Sequence, residues 1–96
     1  MIGFLKGIVH TKFSGQIILL VSGVGYLLTL PSHFLNSLKE GDKADIFVYP
    51  HIREDAFDLY GFLNLEELEF FEMLLSVSGI GPRSAISQAS SRSARE

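Results

Sequence analysis

The chain has 96 residues, 47% of them hydrophobic, a net charge of −3 and no cysteine. That length allows one domain, or one domain with part of a second, and the lack of cysteine excludes disulfides and thiolate metal sites and fits a reducing compartment. The acidic balance excludes a broadly basic, phosphate-neutralising nucleic-acid binder, so any DNA contact must be local.

Short runs rich in Val, Ile, Phe and Tyr, divided by glycine, fill the first two thirds of the chain. Phe4 to Phe13, Gln16 to Ser22, Tyr26 to Leu30, Ala44 to Ile52 and Phe57 to Phe62 read as five strands. Ser14-Gly15 reads as a hairpin turn, and Gly23-Val24-Gly25 as a kink or bulge where a strand bends to close a barrel. After Pro31, the segment Ser32 to Leu38 reads as a short helix ended by Glu40-Gly41-Asp42. A five-stranded barrel with a helix between its third and fourth strands is the OB-fold pattern, and the helix disfavours an SH3-like barrel. The chain opens without a basic-then-apolar signal segment, and its longest apolar tract, Ile17 to Leu30, is interrupted by Ser22, Gly23 and Gly25. It falls short of the roughly 18 to 20 residues of a spanning helix, so a soluble cytoplasmic protein is expected.

From Asn64 the apolar period changes from two to about 3.6. Asn64 and Glu67 form a capping box, with Glu66 and Glu67 at the positive end of the helix dipole. Leu65, Leu68, Phe71 and Leu75 lie along one stripe, widened by Phe70, Leu74 and Val77, with Glu66, Glu69 and Glu72 on the wet side. That face is expected to dock on the barrel and on the next helix. Gly79 then ends this helix and Pro82 suits the first position of another. With glycine at 79 and 81, the turn leaves backbone N–H groups unshielded at a positive helix end, a geometry that attracts phosphate, although a plain structural corner also fits the pattern. The serine-rich end beyond Ala85 has few apolar anchors, and residues 91–96 are expected to fray.

Other chemistry has little support. Glu54-Asp55 between two strands reads by itself as a solvated hairpin tip, and the role of Arg53 beside it stays open between steadying those acids and touching phosphate. Lys6, Lys12, Lys39 and Lys43 are scattered surface charges. His10, His33 and His51 lack ligand-like spacing, so no metal is expected. Neither a dinucleotide fingerprint, a P-loop nor a nucleophile elbow occurs, so neither cofactor nor catalysis is expected.

Gly79-Ile80-Gly81-Pro82-Arg83 resembles the first helix-hairpin-helix of the bacterial Holliday-junction family RuvA. Met1 to Gly7, Gly23-Val24-Gly25-Tyr26, Arg53-Glu54-Asp55-Ala56 and Leu59-Tyr60-Gly61-Phe62 resemble further segments of that family in the same order, over residues 1 to 86. The resemblance implies a mainly β protein with α elements: an OB-fold barrel over residues 1–63, a partial helix-hairpin-helix domain over 64–90, and a tail over 91–96. It implies DNA-binding residues Gly79, Ile80, Gly81, Pro82, Arg83 and Ser84, and an acidic pin of Glu54 and Asp55 that faces the crossover of a four-way junction at the centre of a homotetramer. The family's motor is the ATPase RuvB, engaged through a C-terminal domain that these residues do not encode, so this chain is not expected to engage it. The competing readings are a generic OB-fold module for single strands and a structural oligomerisation module.

Overall fold

Alternating inward side chains fill the barrel. In this computed structural model, which describes residues 3–77 and 80–95, five strands turn every second residue inward. Leu5 and Val9 of β1 (Phe4–Phe13), Ile17 and Leu19 of β2 (Gln16–Val21), Leu28 of β3 (Val24–Thr29), Ala44, Ile46 and Val48 of β4 (Lys43–Arg53) and Leu59 of β5 (Ala56–Phe62) share one core. The strand order is β1-β2-β3-β5-β4 around a closed barrel. Only β3 and β5 run parallel, through Leu28 opposite Leu59 and Thr29 opposite Tyr60. This is the expected mainly β architecture with helices following.

The long first strand closes the cylinder by pairing on both sides. Its residues Phe4 to Ile8 pair with Phe47 to Lys43 of β4, and Ile8 to Phe13 pair with Leu20 to Gln16 of β2. The bend falls in β1, where the register slips between Val9 and Thr11. The kink expected at Gly23-Val24-Gly25 is instead a tight turn of Ser22 (φ 50°) and Gly23 (φ 86°) that joins paired Val21 and Val24, so β3 starts at Val24 and not at Tyr26. Ser14 (φ 45°) and Gly15 (φ 79°) make the same kind of turn between Phe13 and Gln16. Two consecutive positive φ values match the right-handed twist of the flanking strands.

Helix α1 (Ser32–Ser37) seats Phe34, followed by Leu38, in the barrel core. Lys12, read from sequence as a solubilising charge, is instead a tie: its Nζ donates to the Leu38 carbonyl at 3.0 Å and its amide donates to Glu40 Oε2 at 3.1 Å. Helix α2 (Leu65–Ser76) starts where the capping residue was expected, with Asn64 Oδ1 accepting from the Glu67 amide at 2.9 Å. The Glu67 carboxylate also accepts from His33 Nε2, at 3.0 and 3.1 Å to its two oxygens, so α2 is pinned to α1. A carboxylate only accepts, which places the imidazole proton on Nε2.

A second core joins α2 to the outside of the barrel. Tyr60 and Phe62 point out of β5 on the face opposite Leu59, and with Ala85 they enclose Phe71 and Leu74. The Phe71 ring lies 4.9 Å from Phe62, 5.2 Å from Tyr60 and 5.4 Å from Tyr49, in tilted or edge-on arrangements. From Leu59 to Phe62, β5 is therefore buried on both faces. Gly61 fits its inner face because a Cβ there would lie 2.6 Å from both Ile46 Cγ2 and Leu30 Cδ2. The docked face of α2 is narrower than the sequence stripe: Leu68, Phe70 and Leu75 are partly buried, whereas Leu65 and Val77 are each 50% exposed. These two residues stand at the ends of the helix, beyond the curved barrel wall. Helix α3 spans Pro82–Arg95.

Replacing Phe71 with Ala should cost about 3–5 kcal/mol in urea unfolding, whereas Leu65→Ala should change stability by less than about 0.5 kcal/mol.

Candidate nucleic-acid interface

The turn between α2 and α3 is built from hydrogen bonds that each use one residue's geometry. Ser76 Oγ donates back to the Met73 carbonyl at 2.6 Å, and Val77 takes an extended conformation (φ −80°, ψ 132°) whose amide bonds the Leu74 carbonyl at 3.2 Å. The helix thus ends at Ser76, ahead of the glycine expected to stop it. Ser78 and Gly79 lie outside the described residues. The Ile80 amide donates to the Val77 carbonyl at 3.2 Å, and its half-buried side chain packs on the second core. Ile80 therefore anchors the turn from inside.

Gly81 stands at the cap position of α3, its carbonyl accepting from the Ala85 amide at 3.0 Å. Pro82 is the first helical residue, as the sequence indicated. The Arg83 and Ser84 amides fall in the first turn, where no intrahelical acceptor exists, and both residues are exposed. Gly81 is exposed too, and a Cβ there would meet nothing within 4 Å. Its φ is not in the left-handed region. Among the described residues, neither packing nor backbone torsion requires glycine at 81. What its missing side chain leaves is a bare approach to a positive helix end.

That helix end forms one wall of a cleft of about 830 Å³. Gly81, Pro82, Arg83 and Ser84 line it from the helical side, and Ser14, Thr29, His51, Arg53, Asp58 and Tyr60 are on the barrel side. Arg53 steadies neither tip acid in this structure: its Nη2 donates to Asp58 Oδ2 at 2.9 Å, and neither side chain is buried. Tyr60 sits at the floor, with its ring on Phe71 and 6.5 Å from His51. Burial pushes its phenol above the ordinary range, the Asp58 carboxylate adds to that, and Arg83 and Arg53 oppose it. Tyr60 and Asp58 carried no separate signal in the sequence. They reach the cleft because β5 crosses the barrel beside both β4 and β3.

Glu54 and Asp55 form the two-residue tip of the β4–β5 hairpin, between paired Arg53 and Ala56, and both are exposed. They do not line the cleft. The hairpin overshoots the barrel, so Ile52 and Phe57, which continue the inner face, are each 57% exposed. Arg83 and the first turn of α3 thus lie along the cleft, apart from the two carboxylates at the projecting tip. Among the described residues, no group of three or more His, Cys, Asp or Glu could hold a metal, and no helix is long and apolar enough to cross a membrane.

Comparison with known proteins gives this geometry a context. The RuvA N terminal domain family matches residues 1–61. The chain is 53% identical over 93 residues, 97% of its length, to the Holliday junction branch migration complex subunit RuvA of Halothermothrix orenii, so the likeness extends past residue 86. It is 47% identical over 87 residues to the protein of the same description from Rickettsia bellii, and 43% identical over 86 residues to that from Thermus thermophilus, covering 91% and 90% of the chain. The chain spans 47%, 43% and 45% of the lengths of these three relatives.

The raised Tyr60 pKa has a consequence for stability. A phenol that loses its proton less readily in the folded state stabilises the fold below the free phenol's pKa of about 10, and that contribution disappears as pH rises through the higher folded value. The melting temperature should fall on raising the pH above about 10, and Tyr60→Phe should flatten that part of the profile.

Proposed function

The chain belongs to the RuvA N-terminal domain family, and on that premise we propose that it is a non-catalytic DNA-binding subunit that recognises four-way (Holliday) junctions and holds them open for branch migration in recombination and repair. The observation that carries this reading is Gly81: exposed, with no packing or torsional need for glycine among the described residues, and set at the start of a helix whose next residue but one, Arg83, lines a cleft. A duplex arm laid along that cleft brings phosphate oxygens to the first-turn amides and to Arg83, a charge-assisted contact that reads the backbone and no base sequence.

Glu54 and Asp55 supply the selectivity. Phosphates forced against the exposed tip meet like charge, and the repulsion grows where water is displaced. Continuous duplex carries phosphates past the tip, whereas an open, flat junction leaves a gap at its crossover, so the acids favour the junction by penalising the alternative. A homotetramer places four such tips around one crossover. Self-association is supported by an unpartnered apolar strip on the outer barrel face, where Ile8 (44% exposed) is paired with Leu20 (38%) and flanked by Leu27 (47%). In this reading the ATPase RuvB is the motor of the family and not a partner of this chain's own residues, and the subunit itself needs neither metal nor cofactor.

Gel shifts with a four-way junction and a duplex of equal arm length test the proposal. Wild type should prefer the junction, and equal affinity for both would refute the role of the acids. Glu54→Gln with Asp55→Asn should raise duplex affinity about tenfold, on the order of 1.4 kcal/mol, with little gain for the junction. Gly81→Leu should leave the melting temperature within a few degrees and weaken binding to both DNAs. Unchanged binding would remove the α2–α3 turn from the interface.

A further inference from the structure

The barrel wall of the cleft carries a cation that the functional reading leaves unused. We propose that Arg53 is a second phosphate ligand, facing Arg83 across the cleft, and that Asp58 restrains it until a DNA arm arrives. This inference rests on the junction-binding reading and adds to it a regulated contact on the barrel.

Three observations support it. Arg53 and Asp58 line the same cleft as Gly81, Arg83 and Ser84, so backbone held by the first turn of α3 lies within the space that the guanidinium faces. The ion pair is made through a single contact, Nη2 to Oδ2 at 2.9 Å, with side chains 56% and 45% exposed. Such a pair adds little to stability and is readily exchanged, while a guanidinium keeps a fork of donors suited to a phosphate's two oxygens. Finally, the register sets Arg53 opposite Ala56 and Asp58 opposite His51, so the diagonal partner of Arg53 lies on β5 and not at the tip. Asp58 therefore neutralises Arg53 without compensating Glu54 or Asp55.

The arrangement has a chemical logic. With the pair closed, the barrel wall presents little net charge to passing duplex. When a phosphate bound at Arg83 brings its neighbours across the cleft, Arg53 exchanges a carboxylate oxygen for a phosphate oxygen, close to the root of the repelling tip. Asp58 then lowers affinity for all DNA and leaves the gain to arms seated deeply enough to draw Arg53 away.

The test is fluorescence anisotropy of the chain with a labelled four-way junction across a potassium chloride series, using Arg53→Gln, Arg53→Lys and Asp58→Asn. Arg53→Gln should weaken binding about tenfold and reduce the slope of log affinity against log salt by about one, the loss of one phosphate contact. Arg53→Lys should keep most of that slope, and Asp58→Asn should tighten binding about threefold, an expectation based on removing one like charge from the site. All three should melt with wild type, since both side chains are exposed. Wild-type affinity and slope in Arg53→Gln, or weaker binding by Asp58→Asn, would overturn this inference alone. Failure of the wild-type chain to bind the junction would overturn the functional reading and this inference with it.

Discussion

The arrangement depends on the seat of Phe71. Its ring contacts Tyr49, Tyr60 and Phe62 on the outer surface of β4 and β5, and through them the position of α2 is set by the barrel. Everything on the helical side of the cleft follows: α2 delivers Val77, the Val77 carbonyl holds the Ile80 amide, and α3 starts at Pro82, whose first turn lines the cleft. The completely buried Ala85 keeps α3 close, because a small side chain lets its first turn approach the same aromatic cluster. Aromatic rings suit this joint, since they bury large area with few rotatable bonds and fix the angle at which they meet.

The same strand serves both halves of the molecule. β5 fills the barrel with Leu59 and accommodates its crowded interior at Gly61, while Tyr60 and Phe62 receive the helix on the other face. The hairpin that β5 makes with β4 then leaves the barrel and carries two carboxylates into solvent. From Leu59 to Phe62 this strand is packed on both faces, and the hairpin extends from that packed segment. In the proposed role rigidity matters, because a repelling charge discriminates between DNA shapes only if it cannot swing aside when an unsuitable one arrives.

The acidic balance of the chain is compatible with the proposed DNA contact once charge is located and not summed. The exposed glutamates of α2 lie on the side away from the barrel, the tip acids project beyond it, and the cations Arg53 and Arg83 meet at the cleft. Asp58 among them is the one carboxylate of the described cleft lining, and it is already engaged by Arg53.

The sequence by itself determined the elements and their order. Alternating apolar residues gave β1 its full extent from Phe4 to Phe13, Asn64 marked the start of α2, and Pro82 marked the start of α3, because periodicity and capping act over a few neighbouring residues. Only the tertiary structure decided where the barrel bends, at the register slip in β1 and not at Gly23-Val24-Gly25, and how far the buried face of α2 extends, which excludes Leu65 and Val77. It also decided the partners of Lys12, His33 and Arg53, which lie 26, 34 and 5 residues away. Such pairings depend on closure of the barrel, which brings distant segments together by register and packing, and no local pattern of residue types encodes the outcome.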